Sequence, residues 1–356
     1  MVFRHPAVQA ARCLLVGFGL LAFGFQPASA AGPKQDVGVP YLKLSRPRHV
    51  LAQAQAWEAK QFPHTMSVLE RNEGGYRYWG WYGLNDGGGI GLARSNDLVN
   101  WTKYPQNPLL SSARWPSALD QVDPQHPKTV YLTYTRNYDM PDGYVANVST
   151  AYITGTSQGY VVEMSSSYIV LGKTEDGIHI EQIKTLVPPV ANERNQNPNL
   201  FRDPRSGRYY FTFYRGNDKD RFDIVSRSAA TPEDLDKAPE KVLLHSTDTI
   251  AAPTLLYVPQ AKAADGKPAG IYYLATEICP FRYTPALPDG DWQVKIFASD
   301  SPDGDFKPVA GNPIMSSQRA CLFQHIFHGR FYGYDCHLTS VKDWTWILEE
   351  VEAPLP

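Results

Sequence analysis

The chain has 356 residues, with 34 Lys and Arg, 36 Asp and Glu, and a formal net charge of −2. A balanced charge without a Lys/Arg cluster argues against nucleic acid, whose binding requires a basic surface. Aromatic residues make up 12% of the chain, with 21 Tyr and 8 Trp, which favours a β-rich core and leaves rings for stacking on sugars.

The first 30 residues have the pattern of a secretory signal peptide. Arg4 and Arg12 give a positive start, residues 14–25 form an apolar run, and Ala28–Ala30 is a small-residue cleavage site. The apolar run is too short to be a stable membrane anchor. We therefore predict a periplasmic or secreted protein that has no membrane contact after cleavage.

Residues 31–63 are predicted to form an N-terminal lead-in. Its first part is rich in Pro and Gly, which favours an extended chain. A short helix is predicted over Val50–Gln61, because this stretch is rich in Ala and Gln and stops before Pro63.

A short β-hairpin pattern recurs five times within residues 64–354. Each unit opens with an apolar strand, and most continue through a polar turn into an aromatic strand that ends in an acid. Most units add a third and a fourth strand, and long helical periodicity is absent. We predict an all-β fold, a five-bladed β-propeller with four-stranded antiparallel blades around a central funnel. The predicted units are His64–Leu110, Arg114–Val187, Asn195–His245, Ile250–Ser317 and Arg319–Ala353.

Several phrases resemble the five-bladed propeller glycosidases, the superfamily that includes glycoside hydrolase families 43, 32 and 117. The phrase from Gly91 to Trp101 is similar to their Ser-x-Asp-Leu-x-x-Trp strand, and Asn197–Pro204 and Ala252–Leu255 match later blades. The resemblance covers residues 64–350. It implies a propeller catalytic domain that hydrolyses glycosidic bonds with carboxylates near its axis.

The resemblance also implies three acids at the starts of innermost strands, and there this chain departs from the pattern. The family-43 positions fall at Thr65, at Asn197 and near Ala251, and none of these residues is acidic. The protein is therefore predicted to be divergent at the usual catalytic positions.

Other acids of the chain are candidates for the two carboxyl groups that glycoside hydrolysis requires. Glu277 is the predicted general acid, since it follows an aromatic strand beside Cys279, and an apolar surround favours a protonated carboxyl. Asp335 and Asp86 are the other catalytic candidates. A hydrogen-bonded strand end is the structural alternative for Glu277, and a turn-forming role is the alternative for Asp86.

The predicted substrate-binding residues fall into three sets: polar residues that open blades, aromatic platforms, and charged residues. They are His64, Arg114 and Asn197; Trp81, Tyr138 and Tyr214; and Asp218 and Arg319. Structural capping is the alternative for the first set and core packing for the second.

The cysteines indicate a disulfide rather than a metal site. Cys321 and Cys336 fall on neighbouring predicted strands of the last unit, so we predict that they pair and leave Cys279 unpaired. No Cys and His spacing resembles a zinc site. Carboxylate catalysis requires no cofactor, and a structural calcium or other cation at the propeller axis is compatible with the prediction.

The leading prediction is an enzyme, an exported monomeric glycoside hydrolase that cleaves a poly- or oligosaccharide. A non-catalytic glycan-binding propeller is one alternative, favoured by the missing acids. A lyase or a phosphorylase on the same scaffold is another, and Arg194, Arg215 and Arg319 are candidates for binding phosphate. Export argues against a phosphorylase, because phosphate is a poor co-substrate in the periplasm.

Overall fold

A computed structural model describes residues 48–52, 54–58, 63–84, 88–120, 125–137, 167–190, 193–217, 222–260, 269–279, 292–317, 322–338 and 344–351. The predicted signal peptide lies outside these ranges. Within them, no helix has both the length and the apolar character needed to cross a membrane.

The described chain forms five antiparallel sheets that follow one another in sequence, except that β1 (Arg48–Leu51) joins the last sheet. The first sheet contains β2 (Pro63–Glu73), β3 (Tyr76–Leu84), β4 (Gly89–Ser95), β5 (Trp101–Lys103) and β6 (Leu110–Ser111). The second contains β7 (Ala113–Leu119), β8 (Val130–Asn137), β9 (Ser167–Thr174) and β10 (Glu181–Val187). The third contains β11 (Glu193–Arg202), β12 (Tyr209–Asn217), β13 (Phe222–Ala229) and β14 (Glu240–Ser246). The fourth contains β15 (Thr249–Gln260), β16 (Ala269–Cys279), β17 (Trp292–Ser299), β18 (Lys307–Pro308) and β19 (Met315–Ser317). The last contains β20 (Leu322–Phe327), β21 (Arg330–Leu338), β22 (Trp344–Val351) and β1. Two 3₁₀ turns are described, at Ala56–Glu58 and Pro232–Asp236.

The sheets are arranged as the blades of a propeller. The first strands β2, β7, β11, β15 and β20 contact one another in that order, and β20 contacts β2. Apolar clusters fill the spaces between neighbouring blades; Leu171 of the second blade, for example, packs in one cluster with Phe211 and Phe213 of the third. The predicted all-β propeller with four-stranded antiparallel blades is confirmed, and the first strands begin within three residues of the predicted blade starts.

Side chains at one repeated position join the first strands of the first four blades each to the first strand of the next. Neighbouring first strands belong to different sheets, so their inner-edge backbone groups have no ladder partner and are satisfied by side chains instead. The four bonds run from Ala118 N to Ser67 Oγ (2.9 Å), from Leu200 N to Ser117 Oγ (3.0 Å), from Leu255 N to Asn199 Oδ1 (2.9 Å) and from Thr254 Oγ1 to Leu322 O (2.8 Å). Leu200, Leu255 and Leu322 therefore occupy equivalent positions in their blades.

The lead-in differs from the prediction. In place of a helix over Val50–Gln61, strand β1 pairs with β22 and a single 3₁₀ turn follows at Ala56–Glu58. The last blade has only three strands from the C-terminal part of the chain, and pairing with it outweighs the weak helical preference of a short Ala- and Gln-rich stretch.

Glu58 holds this turn against the first blade. Its carboxylate is fully buried and accepts hydrogen bonds from Ala54 N (2.7 Å), Tyr82 Oη (2.8 Å) and Lys103 Nζ (2.5 Å). Burial opposes ionisation, but these hydrogen bonds outweigh it and keep the pKa of Glu58 below its usual value.

Candidate functional site

Four of the polar residues predicted from the sequence lie at one end of the propeller. The bonds join equivalent positions of successive first strands, and His64 at the start of β2 contacts Trp115 at the start of β7, so the starts of these strands lie at a common end. We call this end the mouth; it is formed by the starts of β2, β7, β11 and β15 and the ends of β3, β8, β12 and β16. His64, Arg114, Asn197 and Glu277 all lie here and are buried.

A strained bulge recurs at the mouth in three blades. Trp115 (φ 58°), Asn197 (φ 54°) and Ala252 (φ 48°) each adopt a left-handed backbone conformation directly before a proline. At each bulge the pairing register between the first and second strands shifts. Non-glycine residues in this conformation cost on the order of 1–3 kcal/mol each and cluster at functional sites. The repetition indicates that the shape of the mouth is held by the surrounding fold.

His64 and Trp115 form one wall of the mouth. Their rings meet edge to face, with centroids 4.4 Å apart and planes at 87°. Gly83 permits this approach of the first two blades, because a Cβ at Gly83 would lie 2.9 Å from both Thr65 Oγ1 and Trp115 N. His64 lies at the start of the first blade, and its role in binding substrate stays a prediction.

Glu277 is the predicted acid whose side chain the structure places at the mouth. It is 1% exposed, and its backbone pairs with Ala251, one of the positions where the resemblance implies an acid. The corresponding second-strand residues are Thr135, opposite Arg114, and Tyr214, opposite Gln196. A carboxyl group therefore stands on the second strand, across from the first-strand position that lacks one.

Asp335 lies at a different level of its blade. Its backbone pairs with Leu322, whereas the equivalent Leu255 pairs with Leu274, three residues before Glu277 along β16. Asp335 therefore corresponds to Leu274 and not to Glu277. Its side chain belongs to the part of the chain that the structure does not describe.

Asn195 and Arg215 form a polar network that the sequence did not reveal. Arg215 Nε donates to Asn195 Oδ1 (3.1 Å), and its two terminal nitrogens donate to Glu240 at 2.6 and 2.9 Å. Arg227 also donates to Glu240. The hydrogen bond from Arg215, opposed by burial and reinforced by Arg227, lowers the pKa of Glu240 to about 2. Because Arg215 is committed to Glu240, the prediction that it binds phosphate is not supported.

Two of the predicted aromatic platforms lie in the core instead. Trp81 is fully buried between the first two blades, where its indole N–H donates to Gly177 O (3.0 Å). Tyr214 is 3% exposed and stacks on Phe222 in the cluster between the third and fourth blades. Both faces of a propeller blade are covered by neighbouring blades, so an aromatic strand supplies core residues on each side.

Four other predicted site residues lie outside the described residues. They are Asp86, Tyr138, Asp218 and Arg319.

Several acids serve turns at the end opposite the mouth. Asp97, in the phrase that resembles the glycosidase strand, accepts hydrogen bonds from Val99 N (2.9 Å) and Asn100 N (2.7 Å). Burial raises the pKa of Asp97, but the hydrogen bonds, including one from Ser95, outweigh it and lower the pKa to about 2. Asp203 caps the β11–β12 turn in the same way, as the sequence predicted, and also accepts a hydrogen bond from Tyr272 Oη (2.5 Å).

A metal site is not apparent in the part of the chain that the structure describes. No group of three or more His, Cys, Asp or Glu side chains that could hold a metal ion comes together among those residues.

Solved structures with the same fold include several carbohydrate-active enzymes. Inulosucrase from Halalkalicoccus jeotgali has 15% identity and a TM-score of 0.54, over 84% of this chain and 82% of that one. Endo-arabinase from Bacteroides thetaiotaomicron has 13% identity and a TM-score of 0.51, over 85% and 97%. An N-acetylgalactosamine deacetylase from F. plautii has 11% identity and a TM-score of 0.52, over 86% and 95%. This chain shares their propeller fold.

The resemblance to the propeller glycosidases is thus confirmed at the level of fold. No protein-family model matches the sequence, and no curated protein matches it significantly. The deacetylase shows that the fold occurs in enzymes with more than one kind of reaction, so the residues at the mouth and not the fold alone bear on the function of this chain.

Proposed function

We propose that the protein is a glycoside hydrolase that binds a poly- or oligosaccharide at the mouth, with Glu277 as the general acid. The observation that carries this proposal is the buried carboxyl of Glu277 opposite Ala251. Glu277 lies near the end of β16 that belongs to the mouth, where a bound saccharide comes within its reach. His64 at the start of the first blade and Asn197 at the start of the third supply hydrogen-bonding groups for sugar hydroxyls.

The reaction requires a proton for the leaving oxygen and a second carboxylate. Glu277 donates its proton to the glycosidic oxygen as the bond to the anomeric carbon breaks, and water supplies the new hydroxyl group. The second carboxylate either accepts the proton of that water or bonds to the anomeric carbon first. Asp335 and Asp86 remain the candidates predicted from the sequence for this role, and the chemistry needs no cofactor.

The proposed setting is the periplasm or the cell exterior, with the signal peptide removed and the protein monomeric. The predicted leader at residues 1–30 supports export.

A glycan-binding propeller without catalysis is the second candidate. It is favoured by the non-acidic residues Thr65, Asn197 and Ala251 at the first-strand positions. A screen of the purified mature protein against arabinan, inulin, xylan, pectin and alginate tests both candidates, with reducing-sugar release and polysaccharide retention measured together. Cleavage that is lost in Glu277→Gln supports the hydrolase, and retention without cleavage supports the binding protein. The absence of both cleavage and retention with every glycan would refute both candidates.

A further inference from the structure

Buried hydrogen-bond donors concentrate at the start of β11. Among the described residues, Arg194 Nε and Nη2, Asn195 Nδ2 and Asn197 Nδ2 are buried and have no hydrogen-bond partner. Trp115 Nε1, at the neighbouring bulge of β7, is likewise buried and has no hydrogen-bond partner. These atoms are nitrogen donors that cannot accept a hydrogen bond.

The network behind Asn195 fixes the direction of its amide. Arg215 Nε can only donate, so the Asn195 atom that faces it at 3.1 Å must be the oxygen. Glu240 holds Arg215 through both terminal nitrogens, and Ser167 Oγ bonds the backbone N–H (3.3 Å) and C=O (3.1 Å) of Asn195. Rotation of the amide to present an acceptor is thereby excluded, and the amide nitrogen remains the group without a partner.

Arg194 differs from Arg215 in its charge balance. Arg215 is neutralised by Glu240, with Glu193 at 3.6 Å as a second carboxylate. Arg194 forms no ion pair among the described residues, although two of its nitrogens are buried. Two guanidinium nitrogens that are buried without an acceptor on a half-buried arginine are costly, so the arrangement favours an anionic partner.

We propose that the mouth binds an acidic saccharide, one whose carboxylate or sulfate group accepts hydrogen bonds from Arg194 and Asn197. The inference rests on the proposed function and adds the class of substrate. A neutral sugar hydroxyl accepts one or two hydrogen bonds, whereas a carboxylate or sulfate offers several acceptor sites and a charge that balances Arg194. Asn195 and Trp115 then bind neighbouring oxygens of the same saccharide.

Matched polysaccharides test this proposal. Polygalacturonate and alginate are compared with their carboxyl-reduced forms, and chondroitin sulfate with desulfated chondroitin, by affinity electrophoresis and calorimetry. We expect the wild type to bind at least one acidic form about tenfold or more tightly than its neutral counterpart. The carboxyl-reduced and desulfated arms distinguish a uronate from a sulfate ester.

Two variants and one control assign the preference to this site. Arg194→Gln, and independently Asn197→Asp, should lose most of the preference; aspartate tolerates the left-handed backbone at position 197 but removes the donor. Arg208→Gln, which changes an exposed arginine at the opposite end, should keep it. Equal binding of acidic and neutral forms, or a preference unchanged in both folded variants, would overturn the inference and leave the proposed function standing. Failure to bind or cleave any glycan would refute the proposed function as well.

Discussion

The hydroxyl of Ser117 accepts a hydrogen bond from the backbone nitrogen of Leu200 at 3.0 Å and so joins the second blade to the third. Both groups are buried, and the bond replaces a ladder that cannot form between separate sheets. Equivalent bonds at Ser67, Asn199 and Thr254 join further pairs of neighbouring first strands at the same level.

Substitution of Ser117 by alanine should destabilise the propeller. The Leu200 N–H would be left buried without an acceptor, which costs about 1–3 kcal/mol in the free energy of unfolding. Urea unfolding followed by tryptophan fluorescence measures the change. Ser111→Ala, at an exposed serine of β6, serves as the matched control and should alter stability by less than about 0.5 kcal/mol. Equal stability of the two variants would show that the bond between blades contributes nothing.

The general acid is tested by an isosteric change. Glu277→Gln should lower turnover about 10²–10⁴-fold on the glycan that the wild type cleaves, because glutamine cannot donate a proton to the leaving oxygen. Initial rates with a natural substrate measure this, and circular dichroism checks the fold. Glu181→Gln makes the same change at an exposed residue of β10 and should retain full activity. Unaltered turnover in Glu277→Gln would make Glu277 a structural residue.

Acid pH should weaken the network around Glu240. Its pKa is lowered from 4.5 to about 2 in the folded protein, so the stabilisation is present above the unfolded pKa and is lost as the pH falls through the folded value. The wild type should therefore lose on the order of 2–3 kcal/mol of stability between about pH 4.5 and pH 2 through this group. Glu240→Gln should be less stable at neutral pH and should show a flatter profile in urea unfolding across this range. Parallel profiles for variant and wild type would contradict the assignment.

The disulfide remains a prediction that thiol counting can check. Cys321 directly precedes Leu322, which pairs with Asp335, the residue directly before Cys336. We expect the mature, denatured but unreduced protein to show one free thiol, Cys279, and three after reduction. Three free thiols before reduction would exclude the bridge.

Export is tested at the N-terminus of the mature protein. Expression of the full chain in a bacterium, followed by sequencing of the protein from the periplasm and the medium, should yield a chain beginning at Ala31. Replacement of Ala28 and Ala30 by bulky residues should block this cleavage. Full-length protein confined to the cytoplasm would refute the predicted leader.

Much of the fold was predictable because its signal is local and repeated. Alternating apolar residues, aromatic strands and turn residues recur in each unit, and the turn at Asp203 follows from its own neighbours, Arg205 and Ser206. The position of β1 was not predictable, because its partner β22 lies almost 300 residues along the chain. A short Ala- and Gln-rich segment carries no mark of a strand so distant in sequence.

By itself, the sequence determined the repeated hairpins, and through them the propeller and the strand ends that bear polar residues. The tertiary structure decided which of those residues share a surface. Trp81 and Tyr214 lie in the core because both faces of each blade are covered by neighbouring blades. Period-two alternation in the sequence does not distinguish a covered face from one open to solvent. Arg215 and Glu240 decided the direction of the Asn195 amide, and they come together with it only when all four strands of the third blade are assembled. The orientation of a buried side chain depends on contacts between residues far apart in the chain, which a local sequence pattern does not contain.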